Sequence, residues 1–138
     1  MGSFTYFEHT ADVGIEAIGS DLRDVFVSAA LALFSLIADV DQVREETQIS
    51  LHVNGDGLED LLVSWLNELI FVFDVEHLLF RRFEINHLDS NSLDAVCYGE
   101  KYNPDRHHLK AGVKAATHHE VTIERSNGGY RARLIVDV

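Results

Sequence analysis

Apolar residues along this chain repeat first with a period of two, then of three to four, then of two again. Phe4, Tyr6 and Glu8 lead into His9-Thr10-Ala11-Asp12, and Val13 to Gly19 sets Val13, Ile15 and Ala17 against Gly14, Glu16 and Ile18. That alternation predicts two short strands, because successive side chains in a strand face opposite ways. From Asp21 to Ala38 the spacing changes. Leu22, Val25, Phe26, Ala29, Leu33, Leu36 and Ile37 recur every three or four residues, as on a helix that buries one stripe. Ser20 or Asp21 supplies an oxygen to cap it. After the acidic linker Asp39 to Glu46, Ile49, Leu51 and Val53 alternate with Gln48, Ser50 and His52 as a third strand. Asn54-Gly55-Asp56-Gly57 is a turn, and a second helix follows over Leu58 to Phe73 or Val75. Its apolar residues cover most of its circumference, which places it centrally.

The remainder reads as β. Leu79 to His87 and Ser92 to Glu100 are strands on either side of the turn residues Asp89-Ser90-Asn91, and Tyr102-Asn103-Pro104-Asp105 breaks the chain. Glu120 to Arg125 and Tyr130 to Val138 form a last hairpin across Ser126-Asn127-Gly128-Gly129. The order β-β-α-β-α-β-β-β-β predicts an α+β fold: two main helices packed on a mostly antiparallel or mixed sheet, in a single compact domain over residues 1–138.

Composition narrows the setting. With 138 residues and 46% of them hydrophobic, the chain can bury a core. Cys97 is the one cysteine, so no disulfide framework exists, as expected of a reducing, cytoplasmic setting. Met1 to His9 lacks the basic start and apolar core of a signal peptide. The most apolar stretch, Leu61 to Phe73, is interrupted by Ser64, Asn67 and Glu68 and is too short to span a bilayer. A net charge of −12 disfavours strong direct binding to nucleic acid, which needs cations facing phosphates. The only local basic candidates are Arg81-Arg82 and Lys101, Arg106, Lys110 and Lys114. A cation or a basic protein partner suits such a field better.

Signatures of catalysis are missing. The chain has no GxxxxGK[ST], no GxGxxG after a strand and no GxSxG, and Cys97 in Ala95-Val96-Cys97-Tyr98 reads as a small packing residue. No strong hydrolase or transferase signature is present, which weighs against an enzyme. His107-His108 and His118-His119 are adjacent pairs whose rings point apart in an extended chain, so they do not form a zinc site and read as solvated or sheet-packed. Asp12 reads either as a turn aspartate or as a ligand for a hard cation. Asp137-Val138, directly after Leu134-Ile135-Val136, reads either as a solvated end or as a carboxylate beside the α-carboxylate. In Lys114-Ala115-Ala116-Thr117-His118-His119 the small alanines beside a lysine, a threonine and histidines leave room for a partner or ligand.

These pieces together resemble the archease family. Tyr6 to Asp12 reads Y-F-E-H-T-A-D, Leu61 to Phe73 contains W-L-N-E-L-I-F, Val113 to His119 reads V-K-A-A-T-H-H, and the chain closes on I-V-D-V. The resemblance covers nearly the whole length. It implies a compact α+β accessory protein of the RtcB-type tRNA-splicing ligase, which joins RNA ends using GTP. Such a protein promotes guanylylation of the ligase and allows multiple turnover. The resemblance also implies a divalent metal, Ca2+ first with Mg2+ or Mn2+ as alternatives, held by Asp12, Asp137 and a main-chain oxygen of Val138. It marks Lys114 as functionally required. Ala116 stands where a larger apolar residue is common in the family and His118 where an aromatic is common; neither is one of the ligands. Extension beyond Val138 is then expected to damage function. Two alternatives remain open: a small metal-dependent enzyme acting on a phosphorylated or RNA substrate, and a general chaperone for RNA-modifying enzymes such as methyltransferases.

Overall fold

The computed structural model describes residues 2–9 and 12–138. Thr10, Ala11 and the His9 side chain of the H-T-A-D motif lie outside the described residues. The chain begins with two strands, β1 (Ser3–His9) and β2 (Asp12–Gly19). Helix α1 (Leu22–Ile37) starts where the Asp21 carboxylate accepts the Asp24 N–H at 2.8 Å. It stops at Ala38, whose backbone is extended and whose N–H still reaches the Phe34 carbonyl at 2.8 Å. A short 3-10 turn, Val40–Gln42, interrupts the acidic linker that the sequence pattern left unstructured.

Strand β3 (Thr47–Asn54) leads into α2 (Leu58–Glu76), which is closed by His77 in the left-handed conformation at φ 59°. Strands β4 (Leu78–Leu88) and β5 (Ser92–Lys101) follow. Next comes β6, only Ala115–Ala116, which the expected element order lacked. The closing hairpin is β7 (Thr122–Ser126) and β8 (Gly129–Asp137). Its turn places Asn127 at φ 51° and Gly128 at φ 79°. Two consecutive left-handed residues match the twist of the strands they join, and Asn-Gly adopts that geometry readily.

The α+β class stands, and the strands divide between two sheets. One has the order β1-β2-β8-β6, with β7 pairing β8 as well; the other has the order β3-β5-β4. Every strand pair among the described residues is antiparallel, so the mixed-sheet alternative drops out. Both helices touch both sheets: α1 packs on β2 and β4, α2 on β6, β3 and β5. This explains why each helix is apolar around so much of its surface. Trp65, Phe26, Phe34 and Phe80 are fully buried at the centre, and the Trp65 indole N–H donates to the Phe26 carbonyl at 3.0 Å.

On the first sheet, Ile15 and Ala17 of β2 and Leu134 and Val136 of β8 face the helices. Period-two alternation then puts Asp12, Gly14 and Glu16, with Asp137, Ile135 and Arg133, on the opposite face. The Glu16–Arg133 ion pair at 3.2 Å lies there. Phe7 lies over Gly14, where an added Cβ would come within 2.2 Å of its ring. No helix among the described residues is long and apolar enough to cross a membrane.

Candidate functional site

Strand β8 brings the residues singled out from the sequence together. Asp12 is the register partner of Asp137 across the β2–β8 pair, and Ala115 is the partner of Asp137 on the other side. The Lys114 N–H donates to the Asp137 carbonyl at 2.8 Å. Directly opposed residues in an antiparallel pair carry Cβ atoms about 4.5–5.5 Å apart on the same face. The phase is fixed one residue away, where Val136 is buried against the core opposite Val13. A one-residue slip would exchange valine and aspartate between core and solvent. Asp12 and Asp137 are half-buried, Lys114 is exposed, and Val138 follows at 40% exposure. The side chains of Asp137 and Lys114 make no hydrogen bond or ion pair with another described residue.

A strand of two residues needs help to hold its place. The Asn67 side chain on α2 supplies it: the amide NH2 donates to the Ala116 carbonyl at 3.0 Å, and the amide oxygen accepts the Ala116 N–H at 2.8 Å. On the β8 side, the Thr117 N–H and hydroxyl both donate to the Ile135 carbonyl at 3.0 Å. Further along, His118 Nε2 meets the Asp60 carboxylate at 2.6 Å. The contact of Asn67 with β6 was not legible in the sequence. Its signal was its place among three polar residues, with Ser64 and Glu68, that interrupt the apolar stretch of α2.

The donor set is all oxygen, which suits a hard divalent cation such as Ca2+ or Mg2+. Among the described residues no group of three or more His, Cys, Asp or Glu is gathered closely enough to hold a metal ion. The carboxylates here are therefore the Asp12–Asp137 pair. A cation bound by them draws its remaining ligands from main-chain oxygen, water or a partner. Carboxylates directly opposed on neighbouring strands repel each other, and a cation between them turns that repulsion into shared ligation. The residues thus fit the metal that the resemblance implies.

The other candidates take structural places. Cys97 is buried, and burial pushes its thiol up to about 12, far from a reactive thiolate. Arg81 and Arg82 are both within ion-pair distance of Glu45, at 3.9 and 2.9 Å, and Arg82 stacks over Tyr98 at 3.7 Å. They are not an open basic patch. His119 lies 3.3 Å from Glu120. His107, read from sequence as solvated or sheet-packed, is instead buried in a polar cluster. Its Nδ1 accepts the Asn103 N–H at 2.8 Å, so its ring proton sits on Nε2 and faces Glu100 at 3.0 Å. Glu100 also accepts the Arg44 N–H at 2.6 Å and pairs with Arg106. Burial by itself would raise the Glu100 carboxyl; the Arg44 N–H, His107 and Arg106 outweigh it and hold the group below the ordinary glutamate value.

Comparison with known proteins covers nearly the full chain. Residues 4–138 match the model of the Archease protein family (MTH1598/TM1083). The protein archease of Sulfolobus acidocaldarius is 38% identical over 139 residues, spanning all of both chains. That of Pyrococcus furiosus is 38% identical over 142 residues, again across both full lengths. The solution structure of Methanobacterium thermoautotrophicum protein 1598 is similar with a TM-score of 0.83 and 35% identity, covering 98% of each chain. A crystal structure from Thermotoga maritima, described as an archease and possible chaperone, shares the fold at a TM-score of 0.69 and 18% identity, over 96% of this chain and 94% of that one. The chain belongs to the archease family.

Proposed function

We propose that this chain is an activator of an RtcB-type RNA ligase, promoting guanylylation of the ligase and its multiple turnover in tRNA splicing. It acts in the cytoplasm and carries a divalent cation, Ca2+ first, on Asp12, Asp137 and a main-chain oxygen of Val138. The observation that carries this reading is the register of β8, which sets Asp137 between Asp12 on one strand and the Lys114–Ala115 step on the other. When bound, the cation supplies concentrated positive charge for an anionic group of the partner or its nucleotide. Asp12 and Asp137 fix where that charge sits, because both hang from a paired β ladder. Lys114, whose backbone N–H meets the Asp137 carbonyl, adds a second, exposed positive group. Guanylylation gathers nucleotide phosphates in the ligase's own site. An accessory protein can lower that barrier by presenting preorganised charge or by favouring the competent conformer.

Ligation with RNA in excess over the ligase tests the proposal. The wild-type protein should raise the number of turnovers, while Asp137→Ala and Lys114→Ala, folded by circular dichroism, should not. Wild-type turnover with Asp137→Ala would sink the reading. Calcium titration of the wild type against Asp12→Ala reads the metal separately. One observation favours a second reading, a chaperone for RNA-modifying enzymes: Phe71 and Val75 on α2 are each 58% exposed. Aggregation suppression of unrelated proteins that survives Asp12→Ala and Asp137→Ala would support it. Turnover of RNA without any ligase would instead support a small metal-dependent enzyme.

A further inference from the structure

Between β5 and β7 the chain crosses back along α2 as a strap, and Lys114 rides on it. The strap is fastened near one end by the Lys110 N–H on the Ile37 carbonyl at 2.8 Å, with Leu109 bridged to Ala38. At the other end His118 meets Asp60. Between these points the regular pairing is β6 alone, which is two residues long. Two residues of ladder are marginal without further support. Gly112 has open space around its Cβ position and gives the strap no packing there.

We infer that Asn67 is the positioning residue for Lys114: its amide takes the outer edge of β6 as a strand would and so sets where the lysine is presented. A carboxamide offers one donor and one acceptor side by side, the same pattern as a peptide group. Here both are used on a single residue, Ala116, at 3.0 and 2.8 Å. Asn67 is half-buried, and a hydrogen bond screened from water is stronger and better directed. Ala116 lies two residues beyond Lys114, and Ala115 between them pairs with Asp137. The strap therefore has one neighbour on each side at this point, Asp137 on β8 and Asn67 on α2. Losing Asn67 leaves the Ala116 carbonyl and N–H without that partner and frees the strap on its helix side. Asp137 stays in register with Asp12 through the length of the β2–β8 pair. The prediction is thus selective: lysine placement suffers and metal binding does not.

The inference rests on the ligase-activator reading for its functional half, and the experiment separates the two. Amide hydrogen exchange is measured on the whole protein for wild type, Asn67→Ala and Asn67→Asp. The aspartate keeps an acceptor for the Ala116 N–H and loses the donor to its carbonyl. Exchange at the Ala116 and Lys114 amides should rise about tenfold or more in Asn67→Ala, less in Asn67→Asp, with α2 amides unchanged. Ligation support should fall in Asn67→Ala to the level of Lys114→Ala. Combining both changes should add less than about twofold, because the two act as one unit. Calcium affinity should stay within about twofold of wild type, since both carboxylates sit on β2 and β8. Unchanged exchange at Ala116 overturns the clamp, and so does a double variant whose loss is the product of the single losses. If the wild type fails to support ligation, the activator reading fails, and the exchange result alone decides whether Asn67 holds the strap.

Discussion

Glu100 and Asp137 are both carboxylates at the C-terminal end of a strand, Glu100 one residue before the end of β5 and Asp137 the last residue of β8, and their surroundings are opposite. Glu100 is 5% exposed and its oxygens are occupied from three directions, by the Arg44 N–H, His107 and Arg106. The chain after β5 folds back to provide two of these. Arg106 and His107 both return backbone N–H groups to the Asn103 carbonyl, at 3.0 and 2.7 Å. The His107 ring then stacks on Tyr102 at 6.1 Å. Asp137 is more open, and its carboxylate takes no donor from any described residue. An ionised carboxylate has about four lone-pair sites. Glu100 uses them inside the protein and holds the fold there; no described residue uses those of Asp137. A buried charge that is satisfied internally holds the fold; a more open carboxylate opposed to another across a strand pair is where the proposed cation would sit.

Glu100→Ala should be the most damaging change to stability. It leaves the buried His107 Nε2–H without its acceptor and half-buried Arg106 without its counter-charge, and removing one member of a buried ion pair costs about 3–5 kcal/mol. For a chain of this size that lowers the melting temperature by roughly 10–20 °C, read by calorimetry. Calcium affinity in the surviving folded protein should not change. If it falls with stability, the two regions are one unit and the contrast fails.

Asp137→Asn should do the reverse. Loss of an outer-shell partner weakens a metal site 10–100-fold, so loss of a ligand's charge should weaken calcium binding by at least about 100-fold. Stability should move by less than about 0.5 kcal/mol, because no described internal contact is lost and a like-charge opposition across the strands is relieved. A large destabilisation without an effect on calcium would make Asp137 structural.

The local patterns of the chain were readable as sequence, and their assembly was not. Helix α1 was expected from Asp21 to Ala38 and runs Leu22–Ile37 with Asp21 as its cap, because apolar spacing and capping are local properties. The Asn127-Gly128 hairpin is local too. Division of the strands into two sheets was not legible, since alternation says which face a residue takes but not which strand it pairs with. Strand β6 is too short to show a period. Burial of Glu100 and His107 runs against the usual exposure of charged residues, and only the folded loop brings their partners. Asp12 and Asp137 are far apart in the chain. Their pairing entered through family resemblance, and the β2–β8 register now supplies the spatial reason.

Acid titration sharpens the contrast on its structural side. The folded carboxyl of Glu100 ionises below the unfolded value of 4.5, so its contribution is complete above that pH and drains away as pH falls further. Glu100→Gln should therefore flatten the decline in unfolding free energy as the pH falls below 4.5, measured by denaturant titration. Asp89 is held at about 2, first by the Asn91 N–H and then by His87 and the Ser92 N–H, and it keeps its share of the slope in both proteins. An unchanged slope in Glu100→Gln would show that His107 and Arg106 do not favour the ionised form.

The smallest effect belongs to the strap end nearest the site. Asp60 also sits below its ordinary value, first because the Asp56 N–H donates to it at 2.8 Å and only second because of His118. His118→Ala removes the lesser cause, so most of the lowering should survive, and a carboxyl-resolved NMR titration should still find Asp60 below 3.8. Exposed pairs of this kind contribute little, so the melting temperature should move by at most about 2 °C. The strap keeps its Asn67 and Lys110 fastenings, and calcium binding should be untouched. Return of Asp60 to its ordinary value in this variant would reverse the ranking of the two contacts. It would also make His118, in place of the Asp56 amide, the main partner of the Asp60 carboxylate.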